Sequence, residues 1–365
     1  MLSNGYTPKF GEMGMEDVVV IGAGISGLTA ARQLQQVGLR VTVIDKSRGL
    51  GGRLATRRRG FTTIDHGCRY LQPFADPTLS CLPALLETGV LQPWEPETFA
   101  LEATDFLKAM PTETFYIAPQ GMSAVAKALA SGLTIHRDWR ATALTPLPEG
   151  WRIEGETLST DRQGQPSSID AKAVVVAIPA PQAAALMGRA ALQNEGLAKL
   201  MHQLQNVEFD AVITTMAGYS PDKSANLQAQ TSLGGWMVDG NKHSVLRWAA
   251  LDSSKRTDPQ ESVVVMHSSA AFAASNIDRS DLESVGQELL AAMAESLASW
   301  LSSPTWMQVH RWRYGFVRQP LGSPVLYSPA VSTLVGCGDW CSGGNVEGAI
   351  ASGRQAAQLI ATALT

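Results

Sequence analysis

Unbroken apolar runs alternate with helical spacing near the start of the chain. Val18 to Ile21 reads as a strand buried on both faces, and Arg40 to Asp45 (RVTVID) reads as a second one closing on a carboxylate. Between them, Gly22-Ala23-Gly24-Ile25-Ser26-Gly27 opens a helix predicted from Ile25. Farther along, a helix is expected from Ser123 to Ala130 and a short strand from Leu133 to His136. Trp151 to Gly155 and Ser168 to Ile178 flank a polar loop, Ser159 to Ser167, and read as a hairpin returning to the first sheet. Separate strand-like runs follow at Ala211 to Ala217, Gly235 to Asp239, Ser244 to Leu251 and Ser262 to His267, then a helical pattern from Asp281 to Leu301. A last buried strand, Ser332 to Cys337, precedes a helix beginning at Asn345, with Val346, Ile350, Gly353, Ala357 and Ile360 on one face.

The first strand, turn, helix and strand form a cradle for a dinucleotide. Gly22 makes the tight turn, Gly24 admits a pyrophosphate to the backbone N–H groups, and Gly27 lets the helix lie close to the sheet. Asp45 is placed to accept hydrogen bonds from ribose hydroxyls, and its charge disfavours a 2′-phosphate. A second glycine-rich, cationic turn follows, Lys46-Ser47-Arg48-Gly49-Leu50-Gly51-Gly52-Arg53, in which Arg53 can pair with a pyrophosphate. Arg57 to Arg59 reads as a solvated charge run. Asp339 follows the carboxyl end of the last strand, where open parallel sheets bind ligands.

Composition narrows the function without choosing it. With 365 residues, 45% of them hydrophobic and 17% charged, the chain can bury a large core and form two domains. A net charge of −4 gives no general attraction to nucleic acid or anionic membrane, and no apolar run is long enough to span a bilayer. Met1 to Gly14 lacks the apolar centre of a secretory signal and is expected to be a frayed extension, with Met13 or Met15 as alternative starts. Cys68, Cys81, Cys337 and Cys341 fit neither a disulfide framework nor a paired zinc pattern, so a reducing cytoplasm is the default expectation. Neither a Ser-His-Asp nor a His-Glu-x-x-His pattern competes for the chemistry.

Three separated blocks resemble the FAD-dependent amine-oxidase-like flavoproteins, and their renalase-like branch in particular. They are Val18 to Tyr70, with Asp-Lys-Ser-Arg-Gly-Leu-Gly-Gly-Arg and Ile64-Asp65-His66-Gly67-Cys68-Arg69-Tyr70; Ala173 to Pro181; and Gly338-Asp339-Trp340-Cys341 with Val346-Glu347-Gly348-Ala349, preceded by His310 to Tyr314. The resemblance implies an α/β fold: a doubly wound, Rossmann-like FAD-binding domain carrying an inserted mixed α+β substrate domain. The expected division gives 15–75, 111–185 and 311–365 to the cofactor domain and 76–110 and 186–310 to a substrate or lid domain. FAD is implied as a non-covalent cofactor, contacted by Gly22, Gly24, Ile25, Ser26, Gly27, Asp45, Lys46, Gly52, Arg53, Arg69, Tyr70, Asp339, Val346 and Glu347.

For the substrate, the resemblance implies dihydronicotinamide dinucleotides reduced at the wrong ring carbon (2- or 6-dihydro isomers). They would give hydride to flavin N5, and O2 would take the electrons to form H2O2. Trp236, Trp248, His267 and Phe272 are candidate pocket residues, with Tyr70 and His243 behind them, and His267 is the first candidate for an assisting base. Arg69 stands where the branch usually has Gln, and Phe272 where it tends to have Trp; Trp248 precedes a family-like loop, Asp252-Ser253-Ser254-Lys255-Arg256. An amine oxidase, a ring desaturase and a non-catalytic flavin-binding sensor remain alternatives, and oligomeric state is left open.

Overall fold

A computed structural model describes residues 14–102, 107–158, 166–220, 235–240 and 243–365. The expected frayed extension lies outside the described residues save Gly14, and so does most of the polar loop at 159–165. The chain divides into two compact units: 1–52, 126–208 and 318–365, then 53–125 and 209–317.

The first unit is built on a seven-stranded sheet. Its parallel part runs Leu334–Gly336, Pro166–Val176, Glu16–Ile21, Val41–Ile44 and Thr134–His136. The early half of Pro166–Val176 pairs instead with Gly150–Thr157, antiparallel, so the predicted hairpin does return into the cofactor sheet. Val18, Val19, Val20, Val174 and Val175 are completely buried because helices cover the sheet, and each such side chain contributes about 1.5–3 kcal/mol of hydrophobic stabilisation. The first helix, Ile25–Gln36, packs on the last, Val346–Leu364. Gly353 makes that approach possible, since a Cβ there would strike the Ser26 carbonyl.

The second unit holds another seven-stranded sheet, ordered Trp306–Gln319, Glu208–Tyr219, Ser262–Ser268, Leu246–Leu251, Trp236–Asp239, Glu97–Leu101 and Leu107–Ala109. One face packs on helix Leu282–Ser296 through Trp236, Val238, Ala249, Val264, Met266, Leu289, Leu290 and Met293.

The contact division departs from the expected boundaries. Residues 53–75, 111–125 and 311–317 join the second unit; the first of these does so because Asp65, on the hairpin Thr56–Arg59/Thr62–Asp65, is tied to Asp252 and Arg256. Residues 186–208 join the first unit, because helix Glu195–Leu204 packs on helix Ala180–Ala191, which directly follows the central strand.

Candidate functional site

In the first unit the site is mostly backbone. Gly22 has φ +112°, and a Cβ there would meet the Ala177 carbonyl; its N–H donates to Ile44 O at 2.8 Å. A Cβ on Gly27 would strike the Gly22 carbonyl, so only glycine lets this helix start so close to the strand. Gly24 differs: no atom lies within 4 Å of where its Cβ would be, and it begins the helix without a side-chain cap. The helix therefore presents uncapped N–H groups beneath open space, an anion-binding geometry. The second glycine loop folds onto the first, with Gly51 N–H donating to Ala23 O at 2.9 Å. Asp45 holds both turns in place, one carboxylate oxygen accepting from Ala23 N–H and the other from Ser47 N–H, each at 2.7 Å. Each oxygen keeps a lone pair for a hydroxyl donor.

In the second unit the site is made of side chains. Trp248 and His267 lie side by side on neighbouring strands, ring centroids 5.3 Å apart. Both are buried, and neither the Trp248 indole N–H nor either His267 ring nitrogen has a hydrogen-bond partner among the described residues. Burial first, then the charges of Arg69 and Lys255, hold the His267 pKa well below the usual imidazole range, so the ring is neutral. The Arg69 guanidinium lies 5.3 Å from the Tyr70 ring and 5.4 Å from that of Trp248. Tyr70 in turn packs 4.2 Å from Phe115.

Beside this cluster runs a buried ionic network. Lys255, fully buried, donates to Asp252 at 2.8 Å and to Arg69 O at 2.7 Å. Arg256 bridges Asp65 at 2.7 Å and Asp252 at 2.9 Å, and also donates to the Thr63 and Ala118 carbonyls. Asp65 further accepts from Thr56 and from Met122 N–H. Burial alone would raise the Asp252 pKa, but Lys255 and Arg256 outweigh it and keep the carboxyl ionised.

The family model for flavin containing amine oxidoreductases matches residues 71–361, most of the chain, and a model for NAD(P)-binding Rossmann-like domains matches 20–82. The chain belongs to the flavin containing amine oxidoreductase family. Curated relatives match over short segments. Flavin-containing amine oxidase A of Sus scrofa is 45% identical over 60 residues, 16% of this chain and 11% of that protein. A possible lysine-specific histone demethylase 1 of Drosophila melanogaster is 50% identical over 50 residues, 14% of this chain and 6% of the other. The match thus spans only a small part of those relatives. Solved structures agree over the whole fold. Putrescine oxidase with putrescine bound superposes with a TM-score of 0.67 at 16% identity, covering 95% of this chain and 99% of that one. Cyclohexylamine oxidase of Brevibacterium oxydans gives 0.67 at 14% identity, covering 96% and 100%.

The cofactor of this amine oxidoreductase family is FAD, and the first unit fits it: two crossed glycine loops, an uncapped helix start and a carboxylate with spare acceptor capacity. Other expected contacts behave differently. Ile25 and Ser26 are buried, and the Ser26 carbonyl lies where the last helix approaches at Gly353. Lys46 is exposed. Gly52 has φ +54° and lies against Gly24, a Cβ there coming 3.6 Å from the Gly24 Cα. The Arg53 guanidinium points toward Gly315 O at 3.4 Å. At the last helix, Asn345 caps the start by accepting from Gly348 N–H at 2.7 Å, and Glu347 in the first turn adds negative charge. Those two residues partly satisfy this helix end from within the chain. Asp339 is buried, and its carbonyl closes the glycine turn by accepting from Gly343 and Gly344 N–H. Trp340 anchors the same turn by donating to Ile178 O at 3.1 Å.

Among the pocket candidates, Tyr70, Trp248 and His267 come together and the others do not. Trp236 belongs to the apolar core on the opposite face of the sheet, as the two-residue alternation of its strand requires: Asp239, not Trp236, pairs with Trp248. Phe272 packs into the same core from helix Ala270–Asn276. His243 is a loop cap, its Nδ1 accepting from Val245 and Leu246 N–H. Burial pushes the Cys337 and Cys341 thiols up to about 12 and Cys68 up to about 11, which makes them inert packing groups. Among the described residues no side-chain group suited to a metal ion occurs, and no helix is long and apolar enough to cross a membrane.

Proposed function

We propose that this protein oxidises a flat, electron-rich substrate that carries negative charge, and that dihydronicotinamide dinucleotides of the 2- or 6-dihydro type are that substrate. The observation that supports this reading is the Arg69 guanidinium over Trp248 and Tyr70, next to a neutral, buried His267. The guanidinium charge attracts an anionic group and repels an ammonium ion, and the rings beside it offer faces for a flat ring. When bound, FAD supplies two-electron acceptance and passes the electrons on to dioxygen. The balance is dihydronicotinamide + O2 + H+ → oxidised nicotinamide + H2O2. Loss of hydride from a dihydropyridine leaves an aromatic cation directly, so no amine proton need be removed and no side-chain nucleophile takes part. In this scheme Trp248 and Tyr70 orient the ring, Arg69 holds its anionic portion, and His267 offers a neutral hydrogen-bonding nitrogen. Oxidation in the reducing cytoplasm completes the proposal.

Amine oxidation is the second reading, favoured by the family model over residues 71–361. Anaerobic mixing of the flavin-loaded protein with each substrate class separates the two. Bleaching by dihydronicotinamide isomers at rates far above those for a panel of primary and polyamines is expected. Rapid bleaching by amines, with none by the isomers, would overturn the proposal.

A further inference from the structure

The strand Leu246–Leu251 carries a β-bulge that brings a second cation to the Trp248 face. Its register to Ser262–Ser268 jumps between Leu246, which pairs with Ser268, and Trp248, which pairs with His267, leaving Arg247 as the extra residue. In a regular strand Leu246 and Trp248 would share a face. Here Leu246 and Ala249 lie together in the apolar core, and Arg247 and Trp248 are both turned away from it. Bulges re-aim side chains in this way and are over-represented beside functional sites. The re-aimed Arg247 guanidinium lies 3.8 Å from the Phe316 ring, and Arg69 lies 5.8 Å from the same ring.

We propose that Arg69 and Arg247, resting on the shared ring of Phe316, form a subsite for the diphosphate of a dinucleotide substrate; this rests on the proposed dihydronicotinamide reading and adds where its phosphates are held. Neither guanidinium donates a hydrogen bond or forms an ion pair among the described residues, in contrast to Arg256 with its two carboxylates and two carbonyls. Burial first, and then Arg69, lower the Arg247 pKa, while Asp210 and Asp239 act on it in the opposite sense. Two like charges brought together, both half-buried and held by an aromatic ring instead of acceptors, are a costly arrangement that a doubly charged ligand relieves. A carboxylate needs one guanidinium fork; a diphosphate engages two. The Trp248 indole N–H, buried without a partner among the described residues, supplies a neutral donor alongside.

The test uses FAD-saturated protein, so that the glycine cradle is filled. Inorganic pyrophosphate is titrated by calorimetry and tryptophan fluorescence against wild type, Arg247→Gln, Arg247→Lys and Phe316→Leu. In parallel, flavin reduction is measured with 6-dihydronicotinamide dinucleotide and with its phosphate-free riboside. Pyrophosphate is expected to bind wild type, to bind Arg247→Gln at least tenfold more weakly, and to recover part of the loss in Arg247→Lys. The KM of the dinucleotide should rise at least tenfold more than that of the riboside in Arg247→Gln, with kcat changed less. Equal pyrophosphate binding by wild type and Arg247→Gln, no binding by wild type, or an equal KM loss for both substrates would each overturn the subsite. If neither dihydronicotinamide reduces the flavin, the proposed function falls, and the pyrophosphate titration still decides the subsite. Phe316→Leu keeps both charges and tests the ring alone: weaker pyrophosphate binding at unchanged melting temperature supports the stack, and unchanged binding rejects it.

Discussion

Two groups of polar side chains lie close together in the second unit and are treated in opposite ways. Asp65, Asp252, Lys255 and Arg256 are saturated with one another and with backbone carbonyls. Arg69, Arg247, Trp248 and His267 are charged or polar and half-buried to buried, yet the Trp248 and His267 nitrogens have no partners among the described residues. Buried polar groups are nearly always paired, so the first group is scaffold, and the second is where the proposed ligand would supply partners. The same distinction separates two glycines of the first unit. Gly27 is crowded by protein and Gly24 faces open space.

The largest effect is expected where the completed network is broken. Asp252→Ala leaves Lys255, fully buried, and Arg256 without a shared carboxylate, which should cost about 3–5 kcal/mol in denaturant unfolding. A loss under about 1 kcal/mol would show that the network is not a scaffold. An exposed pair is the internal control: Asp170→Ala, partner of Arg152 at the surface, should change stability by less than about 1 kcal/mol.

Acid should act through the buried histidines. Burial lowers the His66 pKa from 6.5 to about 3, and His267 lies well below 6.5 too. Below pH 6.5 the unfolded chain therefore takes up protons that the native state refuses. Stability from these histidines is fully present above that pH and is lost as pH falls toward the folded values, by about 1.4 kcal/mol per pH unit for each. Melting curves between pH 7 and 5 should show this slope, and His267→Phe should flatten it; an unchanged slope would mean that His267 is protonated in the native protein.

How much of this was legible in the sequence follows from what each site is made of. The cradle is local. Gly22, Gly24, Gly27 and Asp45 fall within one strand, turn, helix and strand, so spacing alone predicts that they lie together. The cluster of the second unit joins Arg69, Arg247, His267 and Phe316 from four distant segments, and no spacing connects them. Arg247 was missed because a regular strand would place it on the face opposite Trp248, and only the bulge reverses that. Trp236 was misassigned for the converse reason: its strand is regular, and alternation sends it into the core. The Asp252-x-x-Lys255-Arg256 spacing was a readable sign of the ionic network, but its partner Asp65 was not.

The two glycines convert the comparison into a binding experiment. Gly24→Ala meets no protein atom and Gly24 has an ordinary φ of −76°, so the apoprotein should lose no more than about 1 kcal/mol while FAD affinity falls tenfold or more. Gly27→Ala presses on the Gly22 carbonyl and should cost the fold itself about 1–3 kcal/mol. Flavin absorbance after dialysis, read beside the apoprotein melting temperature, checks both. Full flavin retention by Gly24→Ala would remove the open space above it from the cofactor site.

In Trp248→Phe two effects on stability oppose each other. The substitution deletes an indole N–H that has no partner among the described residues, which relieves a desolvation cost, and also removes packing surface from a fully buried ring, which creates a small void. These terms oppose each other at about 1–3 kcal/mol apiece, so the net shift in unfolding free energy should stay within about 2 kcal/mol. Substrate binding should respond more strongly than the fold, because the phenyl ring retains a π-face for Arg69 but no donor for an anion, and Trp is the stronger cation partner. A rise in KM with little change in melting temperature would place the indole N–H on the ligand. A loss of stability above about 2 kcal/mol with KM unchanged would instead assign Trp248 to the core, alongside Trp236.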